Sequence, residues 1–201
     1  MRIIYKGISI IFHPVFVPLI GFLLLYSLSG IDLYLSKDVF WFSVLVIFQF
    51  TVLIPLSLTY FLYWKNKISS VELSVRSERP IPLLINLLSV TTNFLVFRYF
   101  SFSGIITNFF GVIVIVSALS LLISLWYKIS LHMTAWGTLA GVIFAFSLKS
   151  GMELHFVISI ILLITAFVAT ARLWLKEHSN TQIATAWLSS IVLSFFIITI
   201  F

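Results

Sequence analysis

The chain has 201 residues, 61% of them hydrophobic and 9% charged, with a mean hydropathy of +1.19. Soluble domains are about half apolar and a quarter charged, so this composition excludes an ordinary soluble fold and points to the membrane class. The absence of cysteine excludes disulfides, thiolate-bound zinc and thiol catalysis. The net charge of +6 lies in short polar stretches beside apolar segments, a placement that fits membrane topology and anion binding and speaks against a nucleic-acid partner.

A bilayer core of roughly 30 Å takes about 20 apolar residues per helix. On that measure seven spans are expected, at about 8–29, 39–63, 81–101, 104–126, 131–149, 152–173 and 181–201. The expected fold class is all-α: a polytopic transmembrane helical bundle of six to seven spans, forming a single domain over 1–201. Apolar runs this long, with little alternation of polar and apolar residues, do not suit an outer-membrane barrel.

The first span follows Arg2 and Lys6 as a secretion signal would. His13, Pro14 and Pro18 interrupt it and no small-residue cleavage site follows, so it is expected as a retained helix. His13 could line a cavity shared with other polar groups, although a structural histidine donating to a backbone carbonyl is the favoured reading. Pro55 predicts a kink in the second span. The longest polar stretch, 65–79, is expected as a surface segment, and Ser101-Phe102-Ser103-Gly104 as a tight turn between the third and fourth spans. Lys149-Ser150-Gly151 predicts a second tight turn, with His155 beyond it as an uninvolved interfacial residue.

Three polar clusters stand out, each just before a span: Arg76-Ser77-Glu78-Arg79-Pro80, Lys128-Ile129-Ser130-Leu131-His132, and Arg172 through His178 to Gln182. Paired crossings return the chain to the face it left, so the three clusters are expected to meet at one membrane face. Proline suits a first helical turn, which puts Arg79 at a helix entrance, with Arg76 able to add a second guanidinium to an anion and Glu78 able to pair with either. Lys128, Ser130 and His132 alternate at the fifth span. Lys128 alone reads as a snorkelling interfacial lysine, but an ionisable residue entering a span, as His132 does, points to function.

His178 and Gln182 are spaced to meet on one helical face, where the amide oxygen can accept an imidazole N–H and set the tautomer. The plain alternative for that cluster is a polar helix cap built on Ser179 and Asn180. Parity over seven spans puts Arg2, Lys6, Lys65, Lys67, Arg76, Arg79, Lys128, Arg172 and Lys176 on the motif face, nine of the 12 basic residues. Lys37, Arg98 and Lys149 fall on the other. The positive-inside rule then turns the motif face to the cytoplasm.

Taken in order, the clusters resemble the type 2 phosphatidic acid phosphatase superfamily of integral membrane lipid phosphatases, whose motifs are Lys-x6-Arg-Pro, Pro-Ser-Gly-His and Ser-Arg-x5-His-x3-Asp. Arg79-Pro80 matches the end of the first, Ser130-Leu131-His132 is similar to the second, and Ala171-Arg172-x5-His178-x3-Gln182 keeps the spacing of the third. Glu72 stands where the first motif has Lys, Ile129 and Leu131 where the second has Pro and Gly, and Gln182 where the third has Asp.

The resemblance implies that His178 attacks phosphorus to form a phosphohistidine and that His132 handles the proton of the leaving oxygen. Gln182 supports His178, and Arg79, Arg172, Arg76, Lys128 and Ser130 hold the phosphate. It implies no metal and no cofactor. The substrate class would be a lipid phosphomonoester or diphosphate: phosphatidic acid, phosphatidylglycerol phosphate, undecaprenyl diphosphate or a lipid A phosphate. The implied location is a bacterial cytoplasmic membrane with the site on the extracytoplasmic side, opposite to the charge count. A non-catalytic relative, or a transporter that binds an anionic lipid in a basic pocket at the membrane edge, is the alternative.

Overall fold

The computed structural model describes residues 1–30, 35–102 and 104–201, so part of the turn expected through Ser103 lies outside the described residues. Among the described residues the fold is all-helical, and seven segments are long and apolar enough to cross a membrane: Arg2–Leu28, Lys37–Trp64, Pro80–Tyr99, Gly104–Ser124, Leu131–Ser150, His155–Trp174 and Asn180–Ile200. At 1.5 Å rise per residue, 20 residues cover about 30 Å, so each segment matches a bilayer core. The chain is built as an integral membrane protein.

Helix boundaries follow the chain's punctuation. α1 (Arg2–Ile11) begins earlier than the apolar pattern predicts and stops before Pro14, which has no N–H to continue the ladder. His13 takes extended backbone and caps a short 3-10 turn over Pro14–Phe16, after which α2 (Val17–Leu28) resumes. The first expected span is therefore broken. α3 (Lys37–Phe48) and α4 (Ile54–Trp64) are joined by a π-helical turn, Gln49–Leu53. Pro55 lies two residues beyond it, and the wider turn makes room for a ring that would clash with the carbonyl four residues back.

Residues 65–79 carry the chain to α5 (Pro80–Tyr99), and Glu78 accepts from both N and Oγ of Ser69 at 2.8 Å, pinning that stretch. α6 is Gly104–Ser124, α7 Leu131–Ser150, α8 His155–Trp174 and α9 Asn180–Ile200. α8 starts later than expected because Gly151 takes the left-handed conformation, φ 68°, and ends α7 before a short connection.

The described residues form two compact units, Met1–Val17 with Lys128–Phe201, and Pro18–Tyr127. In the first, α7 is the core: 72% of its apolar window is buried, against 28% for α8 and for α9. Hydrophobicity does not drive helices together in lipid, so close packing must, and small residues permit it. A Cβ on Gly137 would collide with Ser190 Oγ, and one on Gly141 would meet Ile191 O at 2.5 Å. Lys149 Nζ donates to Ile198 O at 3.1 Å near the far ends of the same two helices. α7 and α9 therefore run parallel, which brings the start of α7, the end of α8 and the start of α9 to one end of this unit.

The second unit is filled by rings. Phe97 packs at 4.8 Å from Phe110, 4.6 Å from Phe102 and 6.1 Å from Phe22, and Phe109 lies 5.2 Å from Phe110. Gly21 leaves room for the Phe109 ring, which a Cβ there would strike.

Candidate functional site

The Arg-x5-His-x3-Gln spacing is a helix stop followed at once by a helix start. Lys176 sits at φ 57°, Lys176 N donates to Leu173 O at 2.9 Å, and Glu177 N to Arg172 O at 3.1 Å. These two backbone bonds form a Schellman turn, which closes α8 and folds Glu177 back over Arg172. Arg172 is 3% exposed, and its Nη2 lies 3.7 Å from Glu177 Oε2, which is also 3.9 Å from Lys128 Nζ. One carboxylate oxygen thus sits between two cations from different segments.

α9 begins four residues after the left-handed Lys176. Ser179 is its N-cap: Ser179 Oγ accepts from Gln182 N at 3.3 Å, and Gln182 Oε1 accepts from Ser179 N at 3.2 Å, a reciprocal capping box. His178 Nδ1 is 3.1 Å from that same Gln182 Oε1. A backbone N–H can only donate, so the atom facing Ser179 is the amide oxygen, and Nδ1 must bring the proton to it. His178 is therefore the Nδ1–H tautomer, with its lone pair on Nε2. The cap and the imidazole support are one arrangement, so the two sequence readings of this cluster hold together.

His132 stands in the first turn of α7, 8% exposed, with Nε2 3.1 Å from Ser9 O. A carbonyl only accepts, so Nε2 carries the proton and Nδ1 the lone pair. One turn on, Trp136 Nε1 donates to Phe12 O at 3.0 Å. Ser130, the N-cap of α7, gives its carbonyl to Thr134 N and Oγ1 at 2.9 and 3.0 Å. Its fully buried Oγ has no hydrogen-bond partner among the described residues.

His13 closes the cluster from the break that follows α1. Its ring lies edge-on to His132, centroids 5.2 Å apart, and Nδ1 accepts from Val15 N at 3.4 Å. The expected bond to a backbone carbonyl is thus replaced by one from a backbone N–H. Arg172 is within electrostatic range of His13 and His132, and His178 is within range of His132.

Of the residues singled out from sequence, the first unit brings together Lys128, Ser130, His132, Arg172, His178 and Gln182. Arg76 and Arg79 belong to the second unit. There Arg79, 2% exposed, donates Nε to Leu73 O at 2.9 Å, and Arg76 Nη1 donates to Leu125 O. Glu78, expected beside an arginine, accepts from Ser69. His155 opens α8 as an exposed residue. Sequence reasoning passed over Glu177, although the Schellman turn legible in a five-residue helix-to-helix link places it beside Arg172. Among the described residues no group of three His, Asp or Glu side chains is arranged to hold a metal ion. No family model matches the chain, and neither a curated protein nor a solved structure matches it.

Proposed function

We propose that this protein is an integral membrane phosphatase that hydrolyses a lipid phosphomonoester or diphosphate through a phosphohistidine on His178. One observation carries the reading: the Gln182 amide oxygen fixes a buried His178 as the Nδ1–H tautomer, leaving the Nε2 lone pair as nucleophile on a segment that also carries Arg172 and Glu177. The motif order from Arg79-Pro80 to Gln182, which resembles that of the type 2 phosphatidic acid phosphatases, supports the same chemistry.

In this reading Nε2 of His178 attacks phosphorus, the P–N bond forms and the P–O bond to the lipid breaks. His132, its Nε2–H held by Ser9 O, works through Nδ1: protonated there, it gives the proton to the leaving oxygen. It then takes one from water, whose oxygen attacks phosphorus as the P–N bond breaks and His178 is restored. Arg172 and Lys128 already hold a carboxylate oxygen between them, and a phosphoryl oxygen takes its place when substrate enters. The lipid tail stays among the apolar helices, in a bacterial cytoplasmic membrane.

Gln182 favours a second reading. Unlike a carboxylate it brings no charge to stabilise an imidazolium, which suits a protein that binds an anionic lipid, or transports one, without turnover.

Phosphate release from a short-chain lipid phosphate by purified protein separates the two. Wild type is expected to turn over without inhibition by chelators and to accumulate an acid-labile phosphoprotein on rapid quench. His178→Ala is expected to fall by about 10³-fold or more and lose the adduct. Turnover that survives this substitution removes His178 from the chemistry, and binding without turnover by wild type selects the second reading.

A further inference from the structure

Of the four imidazoles in the first unit, that of His155 is exposed at the start of α8, and that of His13 has no part in the chemistry described above, yet the chain takes trouble to place it. In an uninterrupted helix Ser9 O would accept from His13 N, and Phe12 O from Phe16 N. Here His13 N turns to Ile10 O at 3.3 Å and Phe16 N to His13 O at 3.0 Å. The two carbonyls this releases are captured by His132 Nε2 and Trp136 Nε1, one turn apart on α7. Phe12 and Trp136 add an edge-to-face contact at 5.8 Å. The corner at His13-Pro14 is thus clamped by the helix that carries His132, and the His13 ring is held edge-on against the His132 ring.

Capping alone does not account for an imidazole at this corner. Ser, Asp or Asn caps a helical turn better, and the bond from Val15 N is long at 3.4 Å. What that bond does decide is the tautomer. Nδ1 accepts from a backbone N–H, so the ring proton is on Nε2, and His13 is a donor at its far edge. The three rings therefore have different faces to offer: a lone pair on His178 Nε2, a lone pair on His132 Nδ1, and an N–H on His13 Nε2. The half-buried ring of His13 is in contact with the His132 ring and within electrostatic range of the Arg172 guanidinium, so a donor ring and a cation both lie beside the imidazole of His132.

We infer that His13 is a phosphate-binding residue, donating its Nε2–H to an oxygen of a bound tetrahedral oxyanion beside His132. The inference rests on the phosphatase reading for the identity of that anion, and its test is made by binding so that the two stand or fall separately. Two substitutions divide the ring's functions. His13→Asn keeps a side-chain acceptor near the Nδ1 position, so the cap stays while the far donor goes. His13→Gln keeps an N–H near the Nε2 position and gives up the cap.

Purified full-length protein in detergent is titrated with inorganic phosphate and, separately, with a short-chain phosphatidic acid. His13→Asn is expected to weaken binding by about 10- to 100-fold, the range for a hydrogen bond to a charged group, while keeping the wild-type melting temperature. His13→Gln is expected to stay within a few-fold of wild type. Weakening in either titration supports the role, and the arm with the larger loss distinguishes free phosphate from a lipid headgroup. Wild-type protein labelled with ¹⁵N-histidine gives a readout that needs no variant: the His13 Nε2–H resonance should move on adding phosphate. Unchanged affinity of His13→Asn in both arms, an unmoved resonance, or a wild type that binds neither anion overturns the inference. Binding that depends on His13 without turnover keeps it and discards the phosphatase.

Discussion

In the unit made of α1, α7, α8 and α9, Gly137 and Gly141 let the α7 backbone lie against Ser190 and Ile191 of α9, whereas in the unit made of α2 to α6 the filling is done by Phe22, Phe97, Phe109 and Phe110. Both solutions satisfy helices in lipid, where dispersion and shape replace the hydrophobic drive. They differ in what they leave at the helix ends. Backbone-to-backbone contact fixes the axial position of α7 against α9, so His132 and the His178–Gln182 pair, at the matching ends of parallel helices, inherit that accuracy. Ring packing fills volume and fixes register less tightly. A site that must hold an imidazole within a fraction of an ångström of its partner gains from the first kind of support.

Three changes would break or sharpen the contrast. The largest is Phe97→Ala. This ring is 1% exposed with three aromatic neighbours, and its loss should cost about 3–5 kcal/mol in reversible unfolding in mixed micelles. A cost below about 1 kcal/mol would mean that the rings collapse into the gap and do not form a fixed core. Next is Gly141→Leu, where the obstacle is the carbonyl of Ile191, a backbone atom that no rotamer change can move. About 2–3 kcal/mol is expected, together with a weakened ¹⁵N signature of the His132–Ser9 hydrogen bond, because the helix carrying His132 must shift. Full stability in that variant would show that α7 and α9 can separate cheaply. The smallest is Lys176→Gly, at the left-handed position that ends α8. Removing the Cβ should raise stability by about 0.5–1 kcal/mol, seen as a higher melting temperature, with the His178 tautomer retained. A fall in stability would mean that the Lys176 side chain makes a contact worth more than the strain.

Much of this was legible along the chain. Among the described residues seven apolar runs of bilayer length become seven helical segments, because a backbone in lipid must satisfy its own hydrogen bonds, whatever its neighbours do. Pro14, Pro55 and Gly151 mark a break, a π turn and a stop for equally local reasons. The Arg172–His178–Gln182 spacing was readable too, because a Schellman turn and a capping box both act within a few residues. The resting place of His13 was not readable. Its role depends on which carbonyls the break releases and which side chains arrive to take them, and those arrive from residues 123 and 124 positions away.

The sequence by itself determined the helices, their ends, and the tautomer of His178, since each is settled by hydrogen bonds between residues close along the chain. Only the tertiary structure decided that His13 and His132 face one another, that Ser9 and Phe12 are satisfied by α7, and that Glu177 lies between Arg172 and Lys128. Those contacts depend on α7 and α9 running parallel at glycine-permitted distance, and no local pattern encodes the distance between two helix axes.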